Sequence, residues 1–399
     1  MKAIVNARLY TPDRLISDGV LLHDAGRILT VGSSAQVELP TGSEIVDLRG
    51  AIVCPGYVDI HVHGGGGADN SDGTPEAVAT VARRHLRAGT TSLLATTSTA
   101  PLPAIWRAFE AIKEAMDRQT RHRRQDEARI LGIHMEGPFL SVAQRGAHAP
   151  ELLRMPNPAE RERLLSYVPH LKRLCLAPER EGALGLIGAL AERCVLVSGA
   201  HSDALYAQVC RAMERGLRHI THLWSGMSTV RRIGPKRHSG MLEAALVENG
   251  LTGEVIADGY HLPSSLLKMA FRLKGPDKLC LISDAMAGSG APPGSYCIAG
   301  QEAIVEPGGG VAVTPDRKAF AGSISTVGQC VQQMVQVVGI SLQDVLRMTT
   351  ETPARILGLE HEIGRLAPGA RADFLVLDPV TLLPRRVFLE GGEAKTVAH

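Results

Sequence analysis

His61 and His63 stand one residue apart at the end of the apolar run GYVDIHVHGGGG, residues 56–67. In a strand such residues face the same side, so both imidazoles converge on one object, and a metal ion is the obvious one. Further residues able to bind metal or move protons follow other apolar runs: Glu136 in GIHMEGPFL, His201 in CVLVSGAHS, His222 in LRHITHL and Asp284 in KLCLISDAM. Imidazole with carboxylate suits zinc, iron, cobalt or manganese, and Glu136 could bridge two ions, one at His61/His63 and one at His201/His222. Water at an open position would be acidified toward neutrality. Asp284 could take its proton and deliver it to a leaving amine, or serve as a ligand, or do both. For a single histidine, a hydrogen-bonded core or surface role competes with ligation. That plainer role is kept for His85, His122, His170 and His219; the joint placement of the others after strands argues for a site.

Eight strand-like runs position these residues: GAIVCPGYVDI, TTSLLATTS, ARILGIHME, LKRLCLAPE, CVLVSGAHS, LRHITHL, GEVIADGYH and KLCLISDAM. Amphipathic stretches such as PEAVATVARRHLRAG, LPAIWRAFEAIKEAM, DALYAQVCRAMERG and GMLEAALVENG fall between them, several ending at glycine as helices do. Eight such units predict a mixed α/β protein with a (β/α)8 TIM-like barrel, whose active site lies at the C-terminal ends of the strands. The first fifty residues read as short strands, and so do RADFLVLDP and RRVFLEGGE near the end. Both termini are therefore expected to build one small β-sandwich domain, residues 1–50 and 356–399, around a barrel of residues 51–355.

Composition narrows the function classes. A net charge of +2 in 399 residues and an aromatic content of 4% offer neither the field nor the stacking surfaces of a nucleic-acid binder. The run RQTRHRRQDEAR (118–129) reads as a solvated helix end before a buried strand. Seven cysteines, none in a C-x-x-C pair, suit free thiols in a reducing compartment. With no leader-like start and no long apolar span, the expectation is a cytoplasmic enzyme without membrane contact.

The chain resembles the amidohydrolase superfamily and, within it, the N-acetylglucosamine-6-phosphate deacetylase family. The resemblance rests on PGYVDIHVHGGGGAD, GIHMEGPFL, RGAHAPE, LAPE, GAHSDA, THLWSGMS, VIADGYHL, LISDAMAG, FAGSIST and PARILGL...GRLAPGARADFLVLD, and spans nearly the full length. It implies that Glu136, His201 and His222 hold the principal metal, that Asp284 is the catalytic acid/base and that His148 polarises or orients the acetyl carbonyl. It implies a second ion at His61 and His63, with zinc ahead of iron, cobalt or manganese, and a homodimer acting on a small amino-sugar substrate. His261 matches a substrate-contacting histidine. A carbamylated-lysine bridge, as in another branch, is disfavoured because Lys172 opens the fourth run instead of closing it.

The family usually reads T-H-L-F-N-A-M after the sixth strand, its asparagine and the next amide helping to hold substrate phosphate; here Ser225 and Gly226 occupy those places. The arginine-glutamate-proline-glycine stretch that follows in the family is STVRRIGPKRHSG here. Arg231 and Arg232, with Lys236 and Arg237, could neutralise a phosphate in its stead, since guanidinium forks match its oxygens; a solvated loop is the alternative. The expected activity is hydrolysis of N-acetylglucosamine-6-phosphate to glucosamine-6-phosphate and acetate. An unphosphorylated N-acetyl sugar, an N-acyl amino acid or a cyclic amide is the competing substrate class, and a non-catalytic barrel is disfavoured by the intact ligand set.

Overall fold

The computed structural model describes residues 1–122 and 125–394. Arg123 and Arg124, inside the charge run expected to end a helix, lie outside the described residues, as does the end of the C-terminal segment, 395–399. No helix among the described residues is long and apolar enough to cross a membrane.

All eight expected barrel strands form: β1 (Tyr57–Val62), β2 (Thr90–Thr97), β3 (Arg129–Glu136), β4 (Leu171–Leu176), β5 (Leu196–Gly199), β6 (His219–Ile220), β7 (Thr252–Ile256) and β8 (Leu279–Ile282). They pair in parallel and in sequence order from β1 to β8. The ends of that order meet, because Asp284 N donates to His61 O at 3.0 Å and His63 N to Ala285 O at 2.9 Å. Every residue of β1, β2 and β8 is buried, as in a parallel sheet covered on both faces.

The covering helices follow their apolar stripes. Residues Leu102–Arg121 bury Leu102, Ile105, Trp106, Phe109 and Ile112, spaced by three or four, against the barrel. Trp106 stacks on Tyr167 with ring centroids 5.7 Å apart. Each such fully buried side chain contributes roughly 1.5–3 kcal/mol of transfer free energy. The helix Pro75–Arg87 starts where Thr74 Oγ1 accepts from Ala77 N, with Pro75 at the first helical position.

Both chain ends enter one mixed eight-stranded sheet. It joins Lys2–Tyr10, Leu15–Asp24, Arg27–Ser33, Glu44–Asp47 and Ile52–Pro55 to Phe374–Leu377, Pro384–Leu389 and Gly392–Glu393. Phe374 stacks on Phe388 in its core, centroids 4.4 Å apart. The strands from both termini form one continuously paired sheet where the sequence led to the expectation of a β-sandwich. The run GAIVCPGYVDI is also divided: Ile52–Pro55 pairs with Phe374–Leu377, and only Tyr57–Val62 enters the barrel. The break falls at Gly56, where a Cβ would lie 2.1 Å from Thr91 Oγ1, and at Pro55, which has no N–H to donate.

Two elements go unread in the sequence. A four-stranded antiparallel sheet, Gly294–Ile298, Gln301–Val305, Val311–Val313 and Phe320–Ser323, follows β8 and packs on Met286. A hairpin pairs Arg231–Ile233 with Lys236–His238 around Gly234.

The glycine run after His63 has two distinct causes. Gly64 allows close approach: a Cβ there would lie 2.5 Å from Ala287 N and 2.6 Å from Ala68 O. Gly67 has φ +85° with nothing near its Cβ position. Gly64→Ala should therefore destabilise by about 1–3 kcal/mol through backbone displacement, and Gly67→Ala by about 1–2 kcal/mol through left-handed strain alone. Urea unfolding checks both, and only Gly64→Ala should also weaken metal binding beside His63.

Candidate active site

The C-terminal strand ends bring His61, His63, Glu136, His201, His222 and Asp284 to one place, joined by His148 from the loop after β3. His61 and His63 leave β1 on the same side, their Nε2 atoms 3.2 Å apart. Glu136, the last residue of β3, spans both histidine pairs. Its Oε2 lies 3.3 Å from His61 Nε2 and 3.0 Å from His63 Nε2, and its Oε1 lies 3.1 Å from His222 Nε2 and 3.6 Å from His201 Nε2. Asp284 Oδ1 is 3.4 Å from His61 Nε2 and 3.3 Å from His63 Nε2. Two ligand-like triads result, His61/His63/Asp284 and Glu136/His148/His201, with His148 Nε2 3.2 Å from His201 Nε2 and the expected ligand His222 3.1 Å from Glu136.

Each imidazole turns Nε2 inward and anchors Nδ1 outward. His63 Nδ1 meets Ser98 Oγ at 2.9 Å, His148 Nδ1 meets Thr99 Oγ1 at 2.7 Å, His201 Nδ1 meets Gln144 O at 2.9 Å and His222 Nδ1 meets Ser225 O at 3.2 Å. A carbonyl oxygen only accepts, so His201 and His222 carry a proton on Nδ1, and a neutral ring then aims a bare lone pair at Glu136. Lone pair against carboxylate is repulsive unless positive charge lies between them. The donor set thus fits one or two divalent cations, with imidazole and carboxylate as ligands. His201, His222 and Asp284 all hold positive φ, at +42°, +21° and +46°, a strain that collects at functional sites.

The remaining expected residues divide. Ser225, Gly226 and His261 line the pocket above the cluster. Gly226 is required there, since a Cβ would meet His201 Nδ1 at 2.4 Å. His261 is held by Asp258, Nδ1 to Oδ2 2.7 Å, and its ring lies 4.9 Å from that of Phe320. Arg231 and Arg232 do not line the pocket: Arg231 makes a two-oxygen ion pair with Asp203, at 2.9 and 2.7 Å, and Arg232 is exposed on the hairpin. His85 and His219 take the plainer roles kept for them. His85 Nε2 lies 2.9 Å from Gly64 O, and His219 Nδ1 lies 2.6 Å from Thr252 Oγ1. Sequence reading missed Ser98 and Thr99, although they directly follow an apolar run. It also missed Ile298, Ala299 and Phe320, which reach the pocket from the four-stranded sheet.

Burial opposes a charged Glu136, yet the imidazoles around it, His61 first and then His201 and His222, hold its carboxyl well below the usual carboxylate range. Burial likewise opposes a charged His63, but Asp284 and Glu136 push its imidazole up to about 9, and Glu136 with Asp284 raises His61 in the same direction. The cluster therefore demands positive charge. For groups raised on folding, the stabilisation is full below the unfolded value of 6.5 and is lost as pH rises through about 9. A cation competes with these protons for the same nitrogens. The gain in melting temperature that a fixed free zinc concentration gives over chelator-treated protein should therefore grow between these two pH values and level off above. A gain independent of pH over that interval would contradict the shared nitrogens.

The amidohydrolase family model matches residues 52–398. An N-acetylgalactosamine-6-phosphate deacetylase of Escherichia coli O157:H7 is 34% identical over 366 residues, 92% of this chain and 93% of that one. An N-acetylglucosamine-6-phosphate deacetylase of Bacillus subtilis is 32% identical over 383 residues, 94% of this chain and 92% of that one. A mutant N-acetyl-D-glucosamine-6-phosphate deacetylase from Mycobacterium smegmatis, solved in complex with N-acetyl-D-glucosamine-6-phosphate, superposes with a TM-score of 0.88 at 31% identity, covering 99% of each chain. With a family model spanning most of its length and relatives above 30% identity along almost all of it, this chain belongs to the amidohydrolase family.

Proposed function

We propose that the protein is a metal-dependent deacetylase that hydrolyses N-acetylglucosamine-6-phosphate to glucosamine-6-phosphate and acetate. The observation that carries this reading is the convergence of four histidine Nε2 atoms on Glu136 and Asp284 at the floor of the pocket. In this reading the site takes two ions, zinc in each case: His61 and His63 would hold one and His201 and His222 the other, with Glu136 in contact with both pairs. When bound, the metal polarises the acyl carbonyl and makes a water acidic enough to attack near neutral pH. The same reading places a homodimer in the cytoplasm.

The chain's own groups supply the rest. Asp284, at the end of β8 and open to the pocket, takes the proton of the attacking water and returns it to the amine as the C–N bond breaks. Burial would raise its carboxyl, but His61 and His63 hold it below its ordinary value, so it begins as the base. Burial and then His201 keep His148 well below the ordinary histidine value, hence neutral. Thr99 Oγ1 lies 2.7 Å from its Nδ1, and the role proposed for His148 takes the tautomer in which that hydroxyl donates and the ring carries its proton on Nε2, facing the oxyanion that develops on the acyl oxygen. Ile298, Ala299 and Phe320 form an apolar wall that limits water around the sugar.

One observation favours a second reading, an unphosphorylated N-acetyl sugar: among the described residues no lysine or arginine lines the pocket, and Arg231 is engaged by Asp203. Amine release by the zinc-loaded protein from N-acetylglucosamine-6-phosphate, N-acetylgalactosamine-6-phosphate and N-acetylglucosamine separates the two. A phosphate preference that an Arg231/Arg232 double alanine variant loses would assign the hairpin to phosphate; equal rates with and without phosphate would favour the second reading, and no release from any would overturn both. Asp284→Asn should keep its metal and lose about 10²–10⁴-fold in kcat; near-normal turnover would remove the proton-transfer role.

A further inference from the structure

Beneath the metal cluster the barrel encloses a complete ion pair. Arg173 on β4 and Glu254 on β7 are both fully buried. Arg173 places one nitrogen on each Glu254 oxygen, Nη1 on Oε1 and Nη2 on Oε2 at 3.0 Å. Its remaining donors reach Ser198 Oγ at 2.9 Å, Thr221 Oγ1 at 2.6 Å and Ile60 O at 3.1 Å, so strands on several sides fix its fork. His219 Nε2 lies 3.1 Å from Glu254 Oε1. Buried ion pairs contribute little net stability, because desolvating both charges costs several kcal/mol and apolar residues could fill the space. Stability alone therefore gives no reason for this pair.

Its upper side gives one. Glu254 Oε2 faces His61 Nδ1 at 3.4 Å, while His61 Nε2 points at Glu136 and Asp284. His63, His148, His201 and His222 anchor Nδ1 on a hydroxyl or a carbonyl; His61 alone of the five faces a carboxylate. We infer that Glu254, held by Arg173, is a positioning residue: it accepts the His61 Nδ1 proton, fixes the ring with its Nε2 lone pair inward, and so sets the occupancy of the His61/His63 metal position. A carboxylate behind a ligating imidazole fixes its tautomer and raises its basicity, and losing such a partner costs about 10–100-fold in metal affinity. The inference rests on the proposed two-ion reading of the site.

The test uses zinc as probe, with bound ions counted by elemental analysis after equilibration with graded chelator. Wild-type protein should hold two ions, and His61→Ala should lose one of them. Glu254→Gln, and the charge-balanced Glu254→Gln/Arg173→Met double variant that guards against misfolding around an unpaired arginine, should keep one ion at wild-type affinity and weaken the other about 10–100-fold. A folded variant binding both ions as wild type does, even with a lowered melting temperature, overturns the inference. A second readout needs no Glu254 variant. The ¹H–¹⁵N spectrum of the wild type should contain a slowly exchanging ring Nδ1–H that His61→Gln removes, and its absence would overturn the inference too. Wild type with fewer than two ions would instead refute the two-ion reading, and the wild-type sample alone reveals that.

Discussion

Glu136 sets its two carboxylate oxygens between two pairs of imidazoles, each pair contributed by strands from a different part of the barrel. Water is largely excluded from this cluster, so nothing screens the charges and each nitrogen must be matched. That requirement explains what surrounds it. Ser98, Thr99, Gln144 and Ser225 each occupy the outer nitrogen of one ring, and the two carbonyls, of Gln144 and Ser225, leave His201 and His222 with bare inner nitrogens facing Glu136, a contact that only added positive charge satisfies. The fit of the site to a divalent cation thus follows from hydrogen-bond accounting around buried histidines.

The backbone carries the corresponding strain. His201, His222 and Asp284 leave their strands in the left-handed region, and Gly226 and Gly64 admit neighbouring groups where a Cβ would collide. Such conformations persist only where surrounding structure over-determines them. Here the parallel ladder lies beneath, Asp284 N is bonded to His61 O, and the four-stranded sheet packs on Met286 just beyond β8. A closed barrel suits this use because its strand ends sit on a packed core while the loops above remain variable.

Much of this was legible in the residues. All eight barrel strands stood out as apolar runs, because parallel strands buried on both faces need uninterrupted apolar sequence. The chemistry-bearing side chains followed those runs, so His61, His63, Glu136, His201, His222 and Asp284 could be grouped before any coordinates. The division of GAIVCPGYVDI was not legible, since the residues on both sides of Pro55 and Gly56 are equally apolar and only the pairing partners differ. Arg231 stood in a basic stretch and was weighed as a phosphate contact; its ion pair with Asp203 depends on a distance between residues 28 apart in sequence. Glu254 lay unnoticed inside GEVIADGYH, because a single acidic residue in a strand carries no sign of an arginine waiting on another.

Sequence by itself therefore determined the element order, the type and number of candidate ligands, and the face of β1 from which His61 and His63 project, all of which follow from local periodicity. Tertiary structure alone decided which carboxylate faces which imidazole, that Phe320 lines the pocket, and that a buried arginine stands behind Glu254. Those are relations between strands far apart in the chain, created by barrel closure, and no periodicity within one segment encodes a distance to another.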